Sequence, residues 1–194
     1  MKGKRNIIIL VLLGLWVLSS IAFYLLKHSA KTTENDTAPQ VDTLAIDGLR
    51  YEDGADYTFY YPENFTEQSQ PEAIKYLAKD DKTVINLIKA KPAAVDTTED
   101  CQNRADESEK ALEKQLTSDD DRVTIIESKK ITDGCYEHLK LKMGSPSAPY
   151  YIHSIQKFLK ASDSNYYAAT IRYVEDSDSA DVLNQALENF TIKK

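Results

Sequence analysis

The sequence predicts an α+β fold: a largely antiparallel sheet of about six or seven strands with helices packed on it, preceded by one transmembrane helix. Three observations predict it. Ile7 to Leu26 is apolar and carries no charge. From Tyr51 onward, two-residue alternation gives way to helical spacing, returns for four successive segments, and ends in a second helical stretch. The connections between those four segments are short, which makes the strands antiparallel neighbours.

The apolar run IIILVLLGLWVLSSIAFYLL at 7–26 corresponds to about 30 Å of helix, the thickness of a bilayer core. Ser19 and Ser20 are its most polar members, and a helix absorbs hydroxyls on its own carbonyls. Lys2, Lys4 and Arg5 precede it, so residues 1–6 are expected in the cytoplasm and the rest of the chain outside. The competing reading is a cleaved signal peptide, because Ser20-Ile21-Ala22 has small-x-small spacing. The anchor is favoured, since Phe23-Tyr24-Leu25-Leu26 continue the apolar run past that point. Residues 27–50, rich in Thr and Asp, read as a flexible linker, with at most a weak edge strand at Val41–Ile46.

Residues 51–194 read as the extracytoplasmic domain. Tyr57, Phe59 and Tyr61 share one face of a strand that Pro62 ends. Lys75–Ala78 is a short second strand and Asp80-Asp81-Lys82 the turn after it. Thr83–Lys91 has Val84, Ile88 and Ala90 on one side and Ile85 and Leu87 on the other, the pattern of a strand covered on both faces. Asp96-Thr-Thr-Glu99 resembles a capping box. It opens a helix whose stripe is Cys101, Ala105, Ser108, Leu112 and Leu116, and Asp119–Asp121 closes it. Strands follow at Arg122–Ile131, Cys135–Met143, Tyr150–Lys160 and Asn165–Val174, joined at Asp133-Gly134, Gly144–Pro149 and Ser162–Ser164. Ser177–Phe190 is a second helix, with Ala180, Leu183, Leu187 and Phe190 inward.

This order resembles the PsbP/Mog-type sandwich. The resemblance is carried by YTFYYPENF at 57–65, TVINLI at 83–88, and NYYAATIRYVEDSDSADVLNQALENFTIK at 165–193, closing on ENFTI. Phe65 departs from it, standing where related sequences often have Trp. Members include an extrinsic subunit of the oxygen-evolving complex, a nuclear-transport cofactor and membrane-anchored bacterial surface proteins. The resemblance therefore implies a PsbP-like domain at 51–194 and leaves its task open.

Composition narrows that task. The chain of 194 residues has 24 Lys+Arg against 31 Asp+Glu, a net charge of −7. Four of the basic residues lie at 2–27, where there is no acid, so the body is more acidic still and poorly suited to nucleic acid. Only 6 glycines occur and no phosphate-cradling loop, no HExxH and no Gly-x-Ser-x-Gly frame is present. A catalytic site, a metal site and a cofactor are accordingly not expected.

His138 and His153 are the only histidines of the body. If Met143 pairs with Tyr150, Lys140 faces His153, His138 lies diagonally on the same sheet face, and Glu137 points to the other. Two imidazoles without a third ligand make a weak metal site, and ordinary surface or partly buried histidines are the favoured reading. The acidic runs Asp119–Asp121 and Glu175–Asp181 lack the spacing of a calcium loop, and the second fits a helix start. Of 12 tyrosines, Tyr150-Tyr151 and Tyr166-Tyr167 are doubled. One member of each pair faces the core and the other faces outward or toward a second layer, where Tyr is a good contact residue. Asn35, Asn64 and Asn189 begin N-x-Thr triplets, discounted because the layout reads as bacterial.

Cys101 and Cys135 are the only cysteines, and they are expected to form a disulfide. Cys101 lies on the helix stripe. Cys135 shares its strand face with Leu139, Leu141 and Met143, so both thiols point into one helix–sheet layer, in an oxidising compartment. The alternative is two buried free thiols. The functional expectation is a membrane-anchored extracytoplasmic interaction or scaffold domain without catalytic activity. It would be held in the cell membrane through residues 7–26 and bind an envelope protein. A small-ligand or ion-binding surface module is the alternative, and a surface hydrolase the less favoured third.

Overall fold

The computed structural model describes residues 45–90, 100–162 and 165–193. The transmembrane run 7–26, most of the linker, the Asp96–Glu99 box and Asn35 lie outside the described residues. Among the described residues no helix is long and apolar enough to cross a membrane.

The chain forms β1 (Leu49–Asp53), β2 (Tyr57–Pro62), β3 (Thr66–Glu67), β4 (Ala73–Ala78) and β5 (Val84–Ala90) before its first helix. Then come α1 (Cys101–Glu113), β6 (Arg122–Ile131), β7 (Gly134–Ser145), β8 (Ala148–Ser162), β9 (Asn165–Val174), α2 (Ala180–Glu188) and β10 (Thr191–Ile192). Seven strands form one antiparallel sheet in the order β3-β4-β5-β9-β8-β7-β6. A second sheet has the order β1-β2-β10.

That second sheet corrects the sequence reading, which placed Tyr57–Tyr61 in the main sheet. The physical reason lies in its partners. β1 falls partly within the stretch read as linker and pairs along β2 from Leu49↔Pro62 to Asp53↔Thr58, while Thr191 and Ile192 take the other edge. β2 is buried on both sides except at Tyr61. Asp56, in the β1–β2 turn, accepts hydrogen bonds from the Tyr167 hydroxyl at 2.7 Å and from Asn165 Nδ2 at 3.1 Å, tying the small sheet to the start of β9. Burial and that carboxylate push the Tyr167 hydroxyl up to about 12.

The main sheet separates two layers. On one face, here the α2 face, Leu77, Ile85, Leu87, Ile155, Ala169 and Ile171 meet Phe59 of the small sheet and Leu183, Ala186, Leu187 and Phe190 of the second helix segment. The other face, the α1 face, carries a smaller cluster of Val123, Leu139, Leu141 and Ile152, closed by Leu112 and Leu116. A third cluster, Phe158, Tyr166 and Ala168, lies on that face as well.

Both helices are shorter than their periodicity predicts. α1 is capped by Asp100, whose side chain accepts from the Asn103 backbone N–H at 3.0 Å. It ends before Leu116, which packs on the sheet from the following turn. α2 begins after Ser179 with Asp181 in its first turn. The four-strand meander follows its predicted bounds closely. Its first two connections are tighter than expected: Gly134 already pairs with Ile131, so the first turn is Thr132-Asp133, with Asp133 at φ 62°, and Gly144 and Ser145 pair with Pro149 and Ala148, so the second turn is Pro146-Ser147. Gly134 is glycine for another reason, because a Cβ there would lie 1.9 Å from the Phe158 carbonyl oxygen.

Candidate functional site

The β7–β8 hairpin sets the candidate site. Its register pairs Met143 with Tyr150 and Lys140 with His153, the register under which the sequence would bring both histidines to one face. His138 and His153 therefore share the α2 face, and His138 Nε2 stands 2.7 Å from His153 Nδ1. Glu137 faces the opposite side, where Ser108 Oγ donates to it at 2.9 Å. His153 stacks on Tyr173 with ring centroids 5.2 Å apart, and its Nε2 lies 3.6 Å from Glu175. Lys140 pairs with that same carboxylate and sits 4.5 Å over the Tyr151 ring. Asn184 of α2 donates to the Tyr173 hydroxyl at 3.2 Å and closes the far side.

The electrostatics follow from this packing. Burial, with smaller contributions from His153 and Lys140, holds His138 below the ordinary imidazole range, against an upward pull from Glu127. The Lys140 hydrogen bond holds Glu175 below the ordinary carboxylate range. A single proton fits between the two rings, because only one nitrogen of a hydrogen-bonded pair donates. The 2.7 Å separation is a hydrogen-bond distance, and no cation fits between the two nitrogens. Among the described residues no group of three or more His, Cys, Asp or Glu has the arrangement of a metal site. Among the described residues, the polar contacts of the two imidazoles run to each other and to Glu175.

The cluster belongs to a wider surface. β6, β7 and the start of β8 present Lys129, Tyr136, His138, Lys140, Tyr151 and His153 on the α2 face. α2 itself packs on β2 and β9. Lys129 lies 4.7 Å over Tyr136 and bonds Glu127 at 2.8 Å.

The remaining predicted residues fall as follows. Cys101 and Cys135 form the disulfide, with Cα atoms 5.4 Å apart. Tyr166 and Tyr167 are both buried, one in each layer. Tyr150 supports the smaller α1-face cluster while Lys82 lies 4.4 Å above its ring. Asp119 and Asp120 are exposed and Asp121 is buried. Glu175 joins the histidines, and Asp178 bonds Lys79 at 2.6 Å beside the start of α2. Asn64 is exposed, and Asn189 caps α2 by donating to the Gln185 carbonyl at 2.8 Å.

Two polar groups escaped the sequence reading. Arg104 lies 3.8 Å over the Phe158 ring, donates to Gln156, and has its Nε 3.9 Å from buried Glu137. Asn86 and Arg172 occupy the α1 face of adjacent strands β5 and β9. Their signal was a polar residue interrupting the apolar strands TVINLI and ATIRYV.

A sheet flanked by helices, with a small second sheet built from both ends of the domain, defines a PsbP-like fold. The structure is similar to the solution structure of cyanobacterial PsbP (CyanoP) from Synechocystis sp. PCC 6803. The TM-score is 0.57 and the identity 12%, over 80% of this chain and 98% of that one. No family model and no curated protein matches the chain.

Proposed function

We propose that this chain is a membrane-anchored extracytoplasmic interaction module of the PsbP-like type, without catalytic activity, that docks an envelope protein on the strand face of β6–β8. The observation that carries the reading is the set of flat aromatic rings and cations on that face. Tyr136, Tyr151, His138 and His153 supply rigid contact area. Lys129 and Lys140, with Arg122 and Lys142 on the same strands, outnumber Glu127 and Glu175 and favour an acidic partner. The uncharged run 7–26 behind a basic N-terminus supports the anchoring, and the Cys101–Cys135 bond is suited to an oxidising compartment.

Fractionation tests the anchoring. The full-length protein is expected to stay in membranes through a carbonate wash, and external protease is expected to remove the body from intact cells or spheroplasts. Recovery of a soluble mature form starting at Phe23 would overturn the anchor in favour of cleavage. Release of the full-length protein by carbonate would overturn both.

A further inference from the structure

On the α1 face, opposite the proposed docking surface and independent of it, the central strand β9 carries a half-buried guanidinium that has no counter-charge among the described residues. Arg172 stands between Val84 of β5 and Ser154 of β8. Its Nε is shut off from solvent and has no hydrogen-bond partner. Among the described residues no carboxylate pairs with it. Glu137, the buried acid of this face, is engaged by Arg104 and Ser108. Diagonally beside Arg172, Asn86 pairs in the ladder with Thr170, and its Oδ1 is likewise buried and unpartnered. Tyr76 of β4 is the ladder neighbour of Asn86, and its hydroxyl and the Arg172 guanidinium feel each other electrostatically. α1 packs on β6 and β7, at the other end of the sheet.

Arginine keeps its charge at any working pH, so a half-buried guanidinium whose Nε is cut off from water is stabilised by an anion beside it. An unpaired buried acceptor beside it needs a donor. We propose that Arg172, Tyr76 and Asn86 form a binding site for a small oxyanion that carries its own hydroxyl, a phosphate or a 2-hydroxy carboxylate. Arg172 and the Tyr76 hydroxyl donate to the anionic oxygens, and Asn86 accepts from the ligand hydroxyl. The fork of the guanidinium suits either oxyanion.

Calorimetric titration of the full-length protein with inorganic phosphate and, separately, with glycolate tests the site. Saturable binding of at least one probe is expected, weakened at least tenfold in Arg172→Met and several-fold in Tyr76→Phe. Binding of phosphate alone assigns a phosphoryl ligand, and binding of glycolate alone a hydroxy acid. No saturable heat with either probe, or affinity unchanged in Arg172→Met, would overturn the site. A second readout separates binding from a structural role. Arg172→Met keeps the apolar stem and removes the unpaired charge, so the ligand-free variant should melt about 2–4 °C above the wild type, and phosphate should raise the Tm of the wild type only. A variant that melts lower or does not fold would show Arg172 to be structural and overturn the proposal.

Discussion

Gly134 and His138 show how far single atoms decide this domain. Replacing Gly134 by Ala puts a methyl group 1.9 Å from the Phe158 oxygen, against backbone that cannot rotate aside. The cost should be about 3 kcal/mol, a fall in Tm of roughly 6–12 °C, and an unchanged Tm would contradict the close approach. His138 makes a pH prediction. Its folded pKa is depressed, so between that value and the unfolded value of about 6.5 the unfolded chain binds more protons than the native one. Stability from this group is complete above the unfolded pKa and declines as pH falls through the window below it. Thermal melts at pH 7 and pH 5 should therefore show a smaller acid loss in His138→Gln than in the wild type. Equal losses would mean that the ring is not penalised by its surroundings.

Among the elements, α1 depends most on a covalent tie. Its apolar stripe is modest: Cys101 and Ala105 are its buried residues, and it sits on the outer strands β6 and β7. The bond to Cys135 fixes its first turn, while Ser128 Oγ donates to the Cys101 carbonyl at 2.8 Å. Changing both cysteines to Ser should lower stability by up to about 4 kcal/mol, the upper end for a loop of this size. The amides of α1 should then exchange faster than those of α2. Identical denaturation midpoints with and without the bond would argue that packing alone holds the helix. The meander β6–β9 was legible because each strand alternates and each turn is short; its register, with Lys140 opposite His153, followed once Met143 paired with Tyr150. β1 was not legible. LRYED has no clean alternation, and its strand identity comes from β2, which lies in its own sheet between β1 and Thr191–Ile192 returning from the far end of the chain. The Arg172 group was hidden for the same reason, since it depends on β5 pairing with β9, a contact across some eighty residues of sequence that no local pattern announces.

At the scale of the whole molecule, the two faces of one sheet differ in character. The α2 face joins the larger core at β4, β5 and β9 to a ring-and-cation surface at β6–β8, and the α1 face holds a half-buried polar group over the central strands. The histidine pair marks the boundary between core and surface, where Tyr173 and Asn184 link it to α2. We propose that the β6–β8 surface meets an acidic envelope protein. A photo-crosslinking residue placed at Tyr151 of the full-length protein in intact cells tests it most directly, with the same residue at exposed Lys114, on the α1 side, as the control. A discrete adduct with one envelope protein from position 151, absent from position 114 and lost when Lys140 is changed to Glu, is the predicted result. Adducts of equal yield from both positions, or an adduct at 151 that survives Lys140→Glu unchanged, would contradict the account.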